Sequence, residues 1–262
     1  MVEAAGDDIL LRSMDERGVV TLTLNRPQAF NSLSEAMIGA LERELERTAQ
    51  DQSVRAVILA ASGKAFCAGH DLREMRATPS IEYYRTLFTR CSALMLSIQR
   101  LPVPVIARVQ GIATAAGCQL VASCDLAVAA SESRFAVSGV NLGLFCATPG
   151  VALSRNLGRK AAFEMLVTGA FIGAEEALAK GLVNRVAPPE KLAAAVDALV
   201  AEIVAKPQVA LALGKQVFYR HLEVSIEAAS ADVRQTVPCN MMADAALEGV
   251  QAFIDKRPPA WR

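Results

Sequence analysis

Two stretches decide the fold of this chain: KAFCAGHDLREM at Lys64–Met75 and GIATAAGCQLVASCD at Gly111–Asp125. In each, a loop of small residues runs directly into an apolar segment that is typical of a helix. The first N–H groups of a helix have no partner within it, and the helix dipole favours negative charge there. Each loop therefore predicts main-chain donors for a ligand oxygen. A plainer interpretation, two tight turns in an α/β domain, explains either stretch taken alone.

Together the loops predict more than either does separately. Two N–H groups that converge on one point form an oxyanion hole, which stabilises the negative oxygen of an enolate in a site poor in water. Small residues suit this role because only a bare backbone comes within about 3 Å of that oxygen. The hypothesis requires the two loops to meet in the fold.

The composition of the 262 residues excludes several classes of protein. Hydrophobic residues make up 53% of the chain and the mean hydropathy is +0.30, which indicates a large buried core or a buried surface between subunits. Lys and Arg number 27 and Asp and Glu number 27, so an extended nucleic-acid-binding surface is not expected. Aromatic residues, at 5%, are too scarce for a base-stacking platform.

Neither a membrane span nor a secretory signal is predicted. The most apolar region, residues 101–130, is interrupted by Arg108, Gln110, Gln119 and Asp125. It therefore falls short of the ~18–20 uninterrupted apolar residues that a span needs. The opening MVEAAGDDILLRSMDERG lacks the basic and apolar regions of a signal peptide.

The six cysteines show no CxxC and no metal-ligand spacing with His70 or His221. We therefore expect no metal site, and reduced, buried thiols in a cytoplasmic protein.

Strands and helices alternate up to about residue 188, and the remainder is helical, which predicts an α/β fold with a helical C-terminal region. Ser32 and Glu35 have the spacing of a capping box before an apolar helical face, and Pro79–Ser80 opens a helix that continues to Arg100. Further ranges are assigned on the same grounds. The predicted strands are 9–14, 19–24, 55–60, 105–109, 126–130 and 182–186; the later helices start at Pro149 or span 174–180, 191–205, 209–229 and 243–256.

Five pieces of the chain, in the correct order, resemble the crotonase (enoyl-CoA hydratase/isomerase) superfamily. They are NRPQAFNSLS at 25–34, VRAVILAASGKAFCAGHDLREM at 54–75, PVPVIARVQGIATAAGCQLVASCDLAVAA at 102–130, RFAVSGVNLGLFCATPG at 134–150 and the segment 163–186. Two shorter pieces, AAGCQLVASCD and GLFCATPGVAL, look like one subgroup in particular.

The resemblance implies a spiral of ββα units over residues 1–190 and a helical trimerisation region over residues 191–262. It implies a homotrimer or a dimer of trimers, and an acyl-CoA ligand with no further cofactor. The two oxyanion donors fall on the N–H groups of His70 and Ala116. The family's usual glycine at the second position is alanine here, and histidine is unusual at the first. Since the donors are main-chain groups, both changes preserve the hole provided that Ala116 is helical rather than left-handed.

The residues that the resemblance assigns to acid–base catalysis are missing. The family's hydratases use two glutamates, but the matching positions hold Gln119 and Gly139, and a third position, where some relatives place aspartate, falls near Ala147. An amide holds water but cannot exchange a proton near neutral pH. Weak or altered hydratase activity is therefore expected.

Seven further positions are expected to contact the substrate. They are Phe66, Ala68, Asp71, Leu72, Arg73, Gly117 and Lys256. Asp71 also follows the first donor and is expected to cap the next helix. Arg73 matches a family lysine near the CoA phosphates and Lys256 one from a neighbouring subunit, although each is equally interpretable as a solvated surface charge.

Two hypotheses remain open at this point. The chain is either a hydratase, isomerase or related thioester-enolate enzyme with unconventional groups, or an acyl-CoA-binding protein that has lost the chemistry. The side chain of His70 and water held by Ser138 or Asn141 are the available replacements, but a packing role at the rim of the pocket is the preferred interpretation of His70. A dinucleotide-binding oxidoreductase is disfavoured, because Gly111–Gly117 does not match GxGxxG.

Overall fold

The computed structural model describes residues 9–261, in which ten strands and eleven α-helices are found. The strands are Leu10–Met14 (β1), Val19–Leu24 (β2), Ala56–Ala61 (β3), Ala65–Cys67 (β4), Val105–Val109 (β5), Ile112–Thr114 (β6), Leu126–Ala130 (β7), Arg134–Ala136 (β8), Ile172–Gly173 (β9) and Arg185–Ala187 (β10). The helices are Glu35–Gln50 (α1), Leu72–Ala77 (α2), Ile81–Arg100 (α3), Ala116–Ser123 (α4), Ala147–Asn156 (α5), Arg159–Thr168 (α6), Ala174–Lys180 (α7), Leu192–Val204 (α8), Gln208–His221 (α9), Ile226–Met241 (α10) and Asp244–Ile254 (α11).

The larger sheet has six strands in the order β1-β2-β3-β5-β7-β10. The strands predicted at 9–14 and 19–24 correspond to β1 and β2, which pair antiparallel, and every other pair in this sheet is parallel. Its strands carry the apolar runs that the sequence predicts, although the last strand begins three residues later and ends one residue later than expected. A parallel sheet is covered on both faces, and this requirement explains why β3 and β5 are apolar almost throughout.

A second, smaller sheet was not predicted. It has the order β4-β6-β8-β9, with β4, β6 and β8 parallel and β9 antiparallel. Each of β4, β6 and β8 has three residues and follows closely on a strand of the larger sheet. The chain thus repeats a pair of strands before each helical segment. This repetition places the two quoted loops side by side, because β4 and β6 are hydrogen-bonded neighbours.

The core lies mainly between the larger sheet and α1, α3 and α4. All eight residues of α4 are buried. The opposite face of the larger sheet is covered by α8, whose Val196 and Val200 pack with Ile58, Ile106 and Val128. The helix that carries the second loop is therefore enclosed by protein, and its N-terminus is held in a fixed position.

Two predicted helix starts need correction. The side chain of Ser34, not Ser32, caps α1 by accepting the N–H of Met37 at 3.1 Å. Helix α5 begins at Ala147, two residues before Pro149, because proline is tolerated in the first turn of a helix. The start of α3 is confirmed, since Ser80 accepts the N–H of Tyr83.

The C-terminal helices differ from the expected pattern in one place. The predicted helix 209–229 is wrong: α9 ends at His221, and Ser225 caps a separate helix, α10. In the described part of α9, α10 and α11, Ala252 is the single buried residue. The division into regions at residue 190 stays a prediction, and residues 1–8 of the stretch tested for a signal peptide lie outside the described residues.

Candidate functional site

The two loops share a cavity of about 480 Å³, hereafter the His70 cavity. His70 and Ala116 both line it, as the oxyanion hypothesis requires. Most of the wall is apolar, and among residues 9–261 no Asp or Glu contributes to it. The remaining lining residues are Ala68, Leu72, Met75, Phe88, Ala115, Ser138, Gly139, Leu142, Leu144, Phe145, Cys146, Ala147, Thr148 and Pro149.

The first loop leaves the N–H of His70 available. Leu33 donates its N–H to Gly69 O at 2.7 Å, and Asp71 donates its N–H to Leu33 O at 3.3 Å. These bonds pass on either side of His70, whose N–H has no backbone acceptor in the described chain. The predicted cap is confirmed, because Asp71 Oδ1 accepts the N–H of Arg73 at 3.1 Å.

The second loop satisfies the backbone condition on Ala116. Ala116 is the first residue of α4, and the positive φ falls on Ala115, with φ +50° and ψ −120°. Such a conformation is costly for a residue with a Cβ. It is held by a hydrogen bond from Ala115 N–H to Ala136 O at 2.9 Å. The N–H of Ala116, as the first of α4, is left without a helical acceptor.

The two loops are in contact at the donor positions. Gly69 has φ +92°, and a Cβ there would lie 3.0 Å from Ala115 Cβ and 3.3 Å from the Ala116 nitrogen. Gly117 approaches the first loop even more closely, because its Cβ would lie 2.1 Å from Cys67 O. Glycine at 69 and 117 therefore allows the two backbones to meet.

The side chain of His70 is a buried packing group. Its ring meets Phe88 edge-on at 5.4 Å between centroids. Neither ring nitrogen makes a hydrogen bond of normal geometry within the described residues. Burial lowers the pKa of His70, and the nearby backbone of Leu33 opposes this only in part. The imidazole is therefore neutral near pH 7 and has no relay partner for proton transfer.

Position 139, where the resemblance expects a glutamate, has no room for a side chain. A Cβ on Gly139 would lie 2.6 Å from Cys146 Sγ and 2.7 Å from Leu144 O. The thiol also accepts the N–H of Gly139 at 3.3 Å. Cys146, which the sequence did not single out for this role, thus occupies the space beside the missing glutamate. Ser138 is hydrogen-bonded to Thr114 at 3.0 Å, and Asn141 reaches Gly169 O at 3.5 Å.

Gln119 differs from expectation, because its side chain lines a separate cavity of about 470 Å³, hereafter the Gln119 cavity. Thr148 lines both cavities, so they are neighbours. The side chain of Gln119 is 4% exposed, and within residues 9–261 its Oε1 has no hydrogen-bond donor. Helix α4 thus offers its first main-chain donor to one cavity and the side chain of its fourth residue to the other.

Asp125, which lines the Gln119 cavity, belongs to a buried ion pair with Lys215. Lys215 Nζ donates to Asp125 Oδ2 at 2.6 Å and to the carbonyl oxygens of Ile98 and Val103. Tyr219 donates its hydroxyl to Asp125 Oδ1 at 2.8 Å. Burial raises the pKa of Asp125 and lowers that of Lys215, while their attraction acts against both shifts. The pair fixes α9 on the core, a contact that spacing in the sequence could not reveal.

The remaining predicted substrate contacts divide into three groups. Ala68 and Leu72 line the His70 cavity. Phe66 is fully buried in the core and Gly117 packs on Cys67, so neither adds a side chain to the wall. Arg73 and Lys256 are exposed, in agreement with either assignment made for them.

Asp71 belongs to a small polar network next to the first loop. Its carboxylate pairs with Arg26 at 3.2 Å and accepts from Ser32 Oγ at 3.3 Å. Burial acts to raise its pKa, but the hydrogen bonds from Arg26 and from the N–H groups of Arg73 and Glu74 produce a net lowering. Asp71 is thus a stable anion that orients the loop. Glu74, at the start of α2, accepts the N–H of Glu35 at 2.9 Å.

Three cysteines close to the two loops, Cys67, Cys118 and Cys146, are not activated as nucleophiles. Burial raises the pKa of Cys67 and of Cys118 to about 12. Burial also raises the pKa of Cys146, against an opposing hydrogen bond from Gly139. Cys239 is exposed, which corrects the expectation that all six thiols are buried.

Within residues 9–261, no cluster of three or more His, Cys, Asp or Glu side chains has an arrangement able to hold a metal ion. In the same part of the chain, no helix combines the length and the hydropathy needed to cross a bilayer.

The chain belongs to the enoyl-CoA hydratase/isomerase family, the crotonase family, which it matches over residues 14–262. The resemblance inferred from the five sequence pieces is therefore confirmed. The fold class is confirmed as well, because solved structures of this family superimpose on the chain over nearly its full length.

The subgroup suggested by AAGCQLVASCD and GLFCATPGVAL is enoyl-CoA hydratase domain-containing protein 3. The mitochondrial protein of that name from Xenopus laevis is 45% identical over 246 residues, which are 94% of this chain and 84% of the relative. The human protein's crystal structure is 40% identical with a TM-score of 0.93, covering 97% of this chain and 100% of that one. A crystal structure of an enoyl-CoA hydratase from Mycobacterium smegmatis is 67% identical with a TM-score of 0.96, covering 97% and 99%.

Proposed function

We propose that the chain binds an acyl-CoA in the His70 cavity, with the thioester carbonyl oxygen between the N–H groups of His70 and Ala116. The observation that carries this proposal is the meeting of the two loops: both donor residues line one cavity, and Gly69 lies against the nitrogen of Ala116. The apolar wall of the His70 cavity limits the access of water. Two N–H groups aligned on one oxygen therefore act in a medium of low dielectric constant. In that environment they favour the enolate form of a bound thioester.

The same cavity argues against efficient hydration. Hydration of a 2-enoyl thioester needs one group to activate water and another to deliver a proton to Cα. Among the described residues, no carboxylate lines the cavity, and the neutral His70 ring has no relay partner. General acid–base catalysis contributes about 10²–10⁴-fold, so a hydratase activity without it is correspondingly weak.

A second candidate function, acyl-CoA binding without catalysis, is favoured by the surroundings of Gly139. The thiol of Cys146 and the carbonyl of Leu144 fill the space that a side chain at position 139 would need. The backbone around Gly139 is therefore packed so that position 139 cannot hold a catalytic side chain. An isomerase or hydrolase that works on the same enolate is the remaining alternative.

We also propose that Arg73 and Lys256 contact the CoA phosphates and that the chain assembles as a homotrimer or a dimer of trimers. Both cations are exposed, as an electrostatic contact with phosphate allows. The segment from α9 to α11 leaves Phe218, Ile226, Met242 and Phe253 between 59% and 86% exposed. Apolar side chains at such density are typical of a surface buried between subunits. The cytoplasmic location stays a prediction.

The test combines binding with turnover. Isothermal titration calorimetry measures the affinity for butyryl-CoA and for free CoA, and a steady-state assay follows hydration of crotonyl-CoA. We expect butyryl-CoA to bind more tightly than CoA, and hydration to be about 10²–10⁴-fold below that of a two-glutamate family member assayed in parallel.

Two results would contradict the proposal. Equal affinity for butyryl-CoA and free CoA would show that the thioester and its acyl group add nothing to binding. Fast hydration that survives both Gln119→Ala and His70→Ala would show that another acid–base pair operates. An activity on crotonyl-CoA that those variants abolish would instead assign the chemistry to their side chains and exclude the non-catalytic alternative.

A further inference from the structure

Residues 255–261 fold back along α11, and this segment is hereafter the C-terminal strap. Glu248, within α11, binds the strap at two points. Arg257 donates Nη1 and Nη2 to the two carboxylate oxygens of Glu248 at 2.7 and 3.0 Å, and Ala260 donates its N–H to Glu248 Oε1 at 2.7 Å. A bidentate pair of arginine and carboxylate fixes direction as well as distance. The strap is therefore held in one orientation on the helix.

Trp261 adds an apolar contact at the far end of the strap. Its ring lies against Gly249, where a Cβ would come within 2.9 Å of the ring carbon Cη2. Glycine inside a helix is less favourable than alanine, because it loses more conformational entropy on folding. Gly249 thus has a local cost that is explained by the close approach of the Trp261 ring.

Lys256 has a second local cost. The N–H of Lys256 is bonded to Phe253 O at 3.2 Å and that of Arg257 to Ala252 O at 3.0 Å, which is the Schellman motif at the end of a helix. In this motif Lys256 has φ +55°, a left-handed conformation in which glycine is preferred. A glycine at position 256 would form the same turn with less strain. What it would lack is the lysine side chain.

The charges of the strap leave this side chain unpaired. Arg257 pairs with Glu248 at 2.7 Å and with Asp255 at 3.4 Å, so one cation neutralises both carboxylates. Lys256 is exposed, and its ammonium has no ion pair or hydrogen bond within residues 9–261. An exposed ammonium beside neutralised carboxylates is available to an anionic ligand.

We propose that the C-terminal strap holds Lys256 in its left-handed conformation so that its ammonium reaches a phosphate of CoA, and that Glu248 and Trp261 are positioning residues for this contact. This inference rests on the proposed function, which assigns Lys256 to the CoA phosphates. Its physical basis is preorganisation: a backbone that is already fixed loses less conformational entropy when the phosphate binds.

The test is a double-mutant cycle measured by isothermal titration calorimetry with free CoA. Lys256→Gln removes the charge, and we expect the affinity to fall about three- to tenfold at low ionic strength. Trp261→Ala and Glu248→Ala release the strap in different ways, and each should lower the affinity about two- to threefold. In the Lys256→Gln background neither should cause a further loss, because both act through Lys256.

Lys256→Gly separates binding from stability. Glycine relieves the left-handed conformation, so the melting temperature should rise while the affinity for CoA falls as it does in Lys256→Gln. A purely structural role of Lys256 would not give these opposite changes. Lys206→Gly is the matched control, since Lys206 is also exposed and has no ion pair in the described chain, but its φ is not positive. It should neither raise the melting temperature nor change the affinity.

The outcomes are distinguishable. Unchanged affinity in Lys256→Gln would overturn both the phosphate contact and the role of the strap. A loss in Lys256→Gln with none in either strap variant, or with equal losses in both backgrounds, would refute the strap and leave the contact of Lys256 in place. Failure of the unmodified chain to bind CoA would reject the proposed function as well, whereas equal affinity for butyryl-CoA and CoA would reject the carbonyl site alone.

Discussion

The two cavities lined by residues of α4 are similar in volume but different in chemistry. The His70 cavity presents main-chain donors in an apolar wall without carboxylates in the described chain. The Gln119 cavity has a buried amide with an unpartnered oxygen and a wall that includes Asp125 and Tyr219. Backbone donors do not depend on side-chain identity, whereas the polar groups of the second cavity are side chains. The difference teaches that a substitution changes the second cavity more directly than it changes the main-chain donors of the first.

The largest expected effect concerns the side-chain cavity. Lys215→Met leaves Asp125 buried without its countercharge, and we expect a loss of about 3–5 kcal/mol in the free energy of unfolding. Urea denaturation followed by circular dichroism measures it. Arg220→Met removes an exposed cation from the same helix and should have little effect, so equal losses in the two variants would refute the role given to the ion pair.

The next effect concerns the backbone donors. Ala116→Pro deletes one N–H at the first position of a helix, where proline is tolerated. We expect the contribution of the thioester carbonyl to disappear, with any enolate-dependent turnover reduced about 10²–10³-fold. Butyryl-CoA affinity relative to free CoA, together with the melting temperature, provides the measurement. A stable variant with unchanged preference for butyryl-CoA would exclude Ala116 as a donor.

A smaller loss of stability is expected from a substitution at Gly139, in the wall of the His70 cavity. Gly139→Ala places a Cβ against both Cys146 Sγ and Leu144 O, and overpacking of this kind costs about 1–3 kcal/mol. The double variant with Cys146→Ala should recover only part of the stability, because the contact with the Leu144 carbonyl remains. Full recovery in thermal unfolding experiments would assign the whole conflict to the thiol.

The smallest expected effect is a pH dependence. Because burial lowers the pKa of His70 below its unfolded value, the unfolded chain takes up a proton first as the pH falls below about 6.5. Stability should therefore decrease from pH 7 to pH 5, and His70→Asn should reduce that slope. Unfolding free energies at several pH values test this, and an unchanged slope in the variant would contradict a neutral, buried His70.

Much of the larger sheet was predictable because its strands are continuous apolar runs that end at turn residues. Val105–Val109 and Leu126–Ala130 have the predicted bounds. The strands of the smaller sheet were not predictable, since two or three residues carry no periodicity. The break between α9 and α10 was missed because both segments have helical patterns, and only the cap at Ser225 separates them.

The candidate site, like the fold, has features that the sequence predicted and features that it did not. The family resemblance predicted oxyanion donors at His70 and Ala116, and the sequence showed that Gln119 and Gly139 are not carboxylates. It did not indicate that Gln119 lines a different cavity, that Cys146 fills the space beside Gly139, or that Asp125 meets Lys215 ninety residues later in the chain. Such contacts join residues far apart in the sequence, and local patterns hold no information about them.

The amino-acid sequence by itself determined the family, the order of the main strands and helices, and the two loops whose small residues expose the backbone. These features follow from local chemistry: hydrophobic runs, caps and the absence of bulky side chains. Only the tertiary structure decided which groups face one another across each cavity. The physical reason is that a wall is assembled from several elements, and burial and hydrogen bonding act on the side chains only after those elements have packed.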